Sequence, residues 1–175
     1  VILFISMAML ALSLSFIWGF GGILCFGQSA FFGIGGYVYA IAVINMGEST
    51  VPILLAVFVP AAFAMLLGYF MFYGRLNDVY LGVVTLVATL ILWKLINHTA
   101  GPEYIIGTAR LGGFNGIPAI PIMTLPWQPD QEMEPAQMFQ YFMAILIAVY
   151  VFLHFLIKSK FGRVAISIRE NEVRT

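Results

Sequence analysis

Long apolar runs alternate with short polar interruptions along this chain. Five runs reach or approach the roughly 20 helical residues needed to cross a ~30 Å hydrocarbon core. They are Ile2–Phe20, Ser29–Met46, Val51–Tyr73, Val79–Asn97 and Ala136–Ile157. Most are bounded by charge, glycine or proline. The first two are separated only by Gly19–Gly27, and the first charged residue of the chain is Glu48. That uncharged link is expected at membrane depth, where non-helical backbone is tolerated only if protein or a cavity surrounds it. The residues leave open whether 21–28 is helical or unwound. The pattern predicts an all-α integral membrane fold, a polytopic helix bundle with about five spans, forming a single transmembrane domain over residues 1–175.

Composition agrees with a lipid environment. Charged residues make up 9% of the chain, against about a quarter in soluble domains. Hydrophobic residues make up 62% and net charge is zero, so no nucleic-acid partner is expected. The basic residues set an orientation. Arg75 follows the third run, and Lys158, Lys160, Arg163, Arg169 and Arg174 follow the fifth. Cytoplasmic loops collect Lys and Arg, which places both stretches inside. Residues 98–135 then form an external loop carrying Glu103, Asp130, Glu132 and Glu134 but only Arg110. This parity puts Val1 outside and predicts a further upstream span. The chain starts within an apolar run and stops among charges, so it reads as a fragment of a larger protein.

Several chemistries are excluded by their missing signatures. There is no GxxxxGK[ST], HExxH or GxSxG, each of which a specific chemistry requires. No carboxylate pair lies inside a span, as an intramembrane hydrolase or proton relay would need; no enzyme activity, cofactor or metal is expected. Cys25 is the single cysteine and has no disulfide or CxxC partner, so it reads as a small core residue. His98 and His154 lie at the ends of different spans.

Three stretches carry more information. GQSAFFGIGGY, residues 27–37, is too rich in glycine and polar atoms for a plain lipid-facing helix. Gln28 and Ser29 supply neutral donors and acceptors, while Gly33, Gly35 and Gly36 permit close backbone approach and weaken the helix. Interrupted helices of this kind build midplane solute sites in transporters; a kinked packing helix is the plain alternative. Small residues also recur at four-residue spacing in Ala11–Ser15–Gly19, Ser29–Gly33 and Gly36–Ala40, as close helix packing in lipid requires. LGGFNGIP, residues 111–118, places Gly112, Gly113, Asn115 and Gly116 in tight turns, to meet an extracytoplasmic partner, to cover the pore, or as an ordinary surface loop. KSKFGRVAISIRENE, residues 158–172, reads as a helix with a charged end that docks into a soluble partner's groove, or as a membrane anchor.

Together these stretches resemble one family, the membrane permeases of ABC importers for branched-chain amino acids. YLGVVTLVATLIL at 80–92, with Thr85 and Leu86 in place, is similar to the family's central span, and SKFGRVAISIRENE resembles its approach to the cytoplasmic coupling helix. The resemblance implies one pore-forming permease subunit in the cell inner membrane. It would pair with a second permease subunit, cytoplasmic ATPase subunits and an extracytoplasmic solute-binding protein. It implies a substrate pathway at Gln28, Ser29, Phe31, Gly33, Gly35, Gly36 and Thr85. Gly112, Gly113, Asn115 and Gly116 would belong to the external loop. ATPase coupling falls to Gly162, Arg163, Arg169, Glu170, Asn171 and Glu172, with residues 158–175 starting the coupling region. Asn77 and Asp78 depart from the family's Arg-Gly before the central span, and Gly36 stands where Ala is usual. Relatives that carry urea or short amides, and a passive small-solute channel, are the alternatives.

Overall fold

The computed structural model describes residues 2–74, 77–125 and 128–170. Helices dominate it: α1 (Ile2–Gly21), α2 (Gln28–Met46), α3 (Thr50–Tyr73), α4 (Asp78–His98), α5 (Pro135–Lys158) and α6 (Lys160–Glu170). The first five are each long and apolar enough to cross a membrane. Each expected span therefore exists, with its ends within one residue of the hydropathy boundaries. The chain is inside-out by the standards of a soluble protein. Phe4, Phe58, Met65, Phe70 and Phe152 are all at least 64% exposed, whereas the buried apolar set is short and includes Ile5, Ala40, Val43, Met71 and Leu81. Water would penalise that surface heavily, while lipid does not.

The closest helix pair is α2 with α3. They are joined by a tight turn in which Gly47 takes φ +73 and returns its N–H to the carbonyl of Val43; this left-handed cap is cheap only for glycine. The helices run back antiparallel, and Phe31 meets Phe63 with ring centroids 5.9 Å apart. Gly35 lies against α3 at Ala56 and Pro60.

The segment between α4 and α5 folds into short pieces. Strands β1 (Ile105–Ile106) and β2 (Ala109–Arg110) form a hairpin, with Gly107 at φ +65 in its turn. A 3-10 turn spans Gly113–Asn115, and β3 (Thr124–Leu125) pairs antiparallel with β4 (Gln128–Glu132). Ala109 and Met133 are buried beneath these pieces. Helix α5 opens with Pro135 at its first turn, where the missing N–H costs nothing, and Gln137 Oε1 accepts from the Glu134 N–H at 3.0 Å.

Helix α6 leaves α5 through a tight elbow. Ser159 Oγ donates to the Leu156 carbonyl at 2.6 Å and accepts from the Gly162 N–H at 3.3 Å. Gly162 is buried, and a Cβ there would collide with the carbonyl oxygens of Leu156 and Ile157. Beyond the elbow, α6 packs on both α1 and α5.

Candidate functional site

The link between α1 and α2 is unwound. Helix α1 ends at Gly21, α2 starts at Gln28, and residues 22–27 are non-helical. Two independent markers show that the link re-enters the bundle rather than running along its edge. Gln28 Nε2 donates to Ser13 Oγ, eight residues back from the end of α1. At 1.5 Å per residue, that is about 12 Å inside the helix end. The Phe26 N–H donates to Thr85 Oγ1 at 3.2 Å, and Thr85 lies seven residues, about 10 Å, along α4 from Asp78. The chain thus turns back after α1, and α2 begins at depth.

Thr85 is 4% exposed. Its hydroxyl donates to the carbonyls of Leu81 (3.0 Å) and Gly82 (2.9 Å) of its own helix, which aims a lone pair outward for Phe26. Thr89 Oγ1 approaches the Phe26 carbonyl at 3.5 Å. Thr89 gives its proton to the Thr85 carbonyl at 2.8 Å, so the well-formed bond at Phe26 is the one from its N–H to Thr85, which lipid could not supply. Close approach makes this possible: a Cβ on Gly82 would sit 3.3 Å from the Leu24 carbonyl oxygen, and one on Gly27 would sit 3.2 Å from Thr85 Cβ. Cys25 lies half-buried within the link.

Gln28 is anchored at one end only. Ser13 Oγ gives its proton to the Leu10 carbonyl at 2.8 Å, so it can only accept from Gln28, and this fixes which amide atom faces it. The other atom, Oε1, is buried with no hydrogen-bond partner among the described residues. A buried acceptor left in this state costs about 1–3 kcal/mol, a cost that an N–H donor from a solute would relieve.

At its other end, α2 overshoots. Starting at depth and running 19 residues, about 28 Å, it carries its last turns into the α4–α5 segment. Asn45 Nδ2 donates to the Ile106 carbonyl at 3.0 Å, and Asn45 Oδ1 accepts from the Thr108 N–H at 2.8 Å. Ser49, fully buried, exchanges bonds with Thr124: the Thr124 N–H reaches Ser49 Oγ at 2.9 Å and the Ser49 N–H reaches Thr124 Oγ1 at 3.2 Å. Tyr37 donates to the Gly113 carbonyl at 3.3 Å.

A family model described as the permease component of branched-chain amino acid transport systems matches residues 1–174. The chain belongs to this family. No curated protein and no solved structure matches it. It is a multi-pass membrane transport protein, and the re-entrant link is a feature of a permease.

Within this permease the residues expected along a pathway do not form one cluster. Gln28 and Gly35 lie on the side of α2 that meets α1 and α3, and Phe31 packs on Phe63. Ser29 and Gly36 are exposed, and a Cβ on Gly33 or Gly36 would meet nothing within 4 Å. At 100° per residue, Ser29, Gly33 and Gly36 share a second face of α2, turned away from Gly35. Thr85 sits behind the link with its hydroxyl committed.

In the loop, Gly112 and Gly113 have positive φ and are hemmed in, Gly112 by the Gly116 carbonyl and Gly113 by Ala100. Asn115 is exposed. Arg163 donates to the Lys158 carbonyl at 3.3 Å, so both Gly162 and Arg163 shape the elbow. Arg169 and Glu170 end α6. Asn171 and Glu172 lie outside the described residues. Among the described residues no three His, Cys, Asp or Glu side chains gather as a metal site would require.

Sequence reasoning missed Ser13, one of three serines in α1, because the four-residue spacing singled out Ser15 instead. It also missed the Asn45 and Ser49 anchors, and Lys94, an exposed cation one turn before His98 in α4. A long cationic stem near a helix end reaches outward to the polar interface.

Proposed function

We propose that this chain is the pore-forming part of an importer that moves branched-chain or related hydrophobic amino acids across the inner membrane. The observation that supports it is the re-entrant link and the buried, unpartnered Gln28 Oε1 beside it. The carbonyl oxygen would accept an N–H from the solute's ammonium group, and no fixed charge need be buried to hold a zwitterion. The second face of α2, with Ser29, Gly33 and Gly36, would line the pathway or meet the second permease subunit. On this reading residues 98–135 lie outside and receive the solute-binding protein. The region from Lys158 onward lies in the cytoplasm, where α6 opens toward separate ATPase subunits. ATP-driven movement there would shift the bundle between two packings.

Urea or a short amide also offers N–H donors to Gln28 Oε1, which favours it as the second reading. Uptake of labelled leucine and labelled urea, measured in a strain lacking the full-length gene and in the complemented strain, separates the two. Leucine uptake lost and restored supports the amino-acid importer. Loss confined to urea establishes the second reading, and loss of neither overturns both.

A further inference from the structure

We propose that Thr85 is a positioning residue for transport: it clamps the unwound segment Gly22–Gly27 to α4 and thereby sets where Gln28 is presented. The inference rests on the reading that this link borders the solute path. Its evidence is separate from that reading, because the contacts that carry it join the link to α4, whereas Gln28 is anchored to Ser13 of α1.

The geometry makes Thr85 specific for this work. Its own-helix bonds to Leu81 and Gly82 orient the hydroxyl, so the oxygen presents a lone pair toward Phe26 and the proton is spent. Back-bonding of this kind normally satisfies a threonine inside a helix and requires no further partner; here the free lone pair is used. The link is pressed against the same turn of α4 by two glycines, Gly82 beneath Leu24 and Gly27 beneath Thr85. Burial of Thr85 keeps competing donors away. A solute therefore has no direct access to this hydroxyl, and its influence on transport must pass through the backbone of residues 24–27 and then to Gln28, two residues beyond Phe26. Non-helical backbone inside a membrane cannot be left unpaired. Loss of the Thr85 acceptor thus forces the link to move until the Phe26 N–H finds another partner.

Cys25 reports directly on that movement, since it lies in the clamped link and is the one cysteine in residues 1–175. The test uses the full-length permease in its native membrane, with any cysteine outside these residues replaced by serine. The rate of Cys25 modification by a small membrane-permeant maleimide is measured alongside the KM and maximal rate of leucine uptake. Thr85→Val keeps the shape and removes the hydroxyl, and Thr85→Ser keeps the hydroxyl. We expect Thr85→Val to raise the labelling rate at least about fivefold and to raise KM, with Thr85→Ser matching the wild type in both.

If Thr85→Val does not insert, Thr85→Ala supplies the same readout without a branched side chain. Labelling of the hydroxyl-free variant at the wild-type rate overturns the clamp, whatever happens to uptake. Faster labelling with unchanged uptake upholds the clamp but removes the link from the solute path, which is the distinct failure of the underlying reading.

Discussion

The carbonyl oxygen of Ala56 lies 3.1 Å from the point that a Cβ on Gly35 would occupy. Pro60, one turn further along α3, lacks the N–H that would otherwise bond this carbonyl. The freed oxygen thus faces the one residue type that lets α2 approach it closely, and the α2–α3 pair depends on a glycine at 35 and a proline at 60 together.

This relationship separates Gly35 from its neighbours. Gly35→Leu should destabilise the α2–α3 pair by about 1–3 kcal/mol through overpacking, visible as a lower thermal aggregation midpoint in detergent. Gly36→Leu, on the open face, should leave that midpoint nearly unchanged yet impair uptake. Equal loss of thermal stability in both variants would contradict the two-faced assignment of α2.

Gln28 and Ser13 give a second expectation. Gln28→Leu should raise the KM for leucine about tenfold or more, because a hydrogen bond to a charged donor is worth roughly 1.5–3 kcal/mol. Ser13→Ala should have a smaller effect, since it removes only the anchor. Uptake kinetics in proteoliposomes containing the assembled transporter decide this, with an unchanged KM in Gln28→Leu as the contrary result.

Asn45 holds the β1–β2 hairpin through both ends of its amide. Asn45→Ala should release the hairpin at a cost of about 1–3 kcal/mol, given the backbone groups left unpaired. Arg110 is exposed in β2 and is the one Lys or Arg between residues 99 and 134. Trypsin cleavage after Arg110 in sealed vesicles of known orientation should therefore quicken severalfold in Asn45→Ala.

The elbow at Gly162 gives a fourth. A methyl group there meets the carbonyl oxygens of Leu156 and Ile157, so Gly162→Ala should swing α6 away from α1 and α5. Leucine uptake should fall severely while span insertion, measured by glycosylation mapping, stays normal. Uptake retained at the wild-type level would show that the angle of α6 does not matter for transport.

Much of this fold was legible because lipid imposes a crude rule. Twenty apolar residues between polar stops suffice to mark a span, and the ends of all five helices fall within one residue of those stops. The link at Gly19–Gly27 was legible as uncharged, glycine-rich and set at membrane depth, but the way it turns back was not. Its path is set by Ser13 and Thr85 on two other helices, and single-residue polar contacts across a bundle leave no periodic trace. The stretch 27–37 read as one site because its residues are contiguous. Helical geometry divides it, sending Gly35 to α3 while Ser29, Gly33 and Gly36 turn elsewhere. The small strands between α4 and α5 were invisible for a related reason. Three of the four strands are two residues long and have no alternation to read, and Asn45 and Ser49 hold them from outside the segment.

Helix α2 runs unbroken from Gln28 to Met46 despite Gly33, Gly35 and Gly36, so it behaves as a rod with the link at one end and the Asn45 and Ser49 anchors at or just past the other. A tilt of about 5° about its centre would displace each end of a ~28 Å rod by roughly 1 Å, in opposite directions. That is on the scale of a hydrogen bond's tolerance. A push on the folded segment between α4 and α5 is therefore felt at Phe26 and Gln28 as leverage, with no need for a chain of intermediate side chains to relay it.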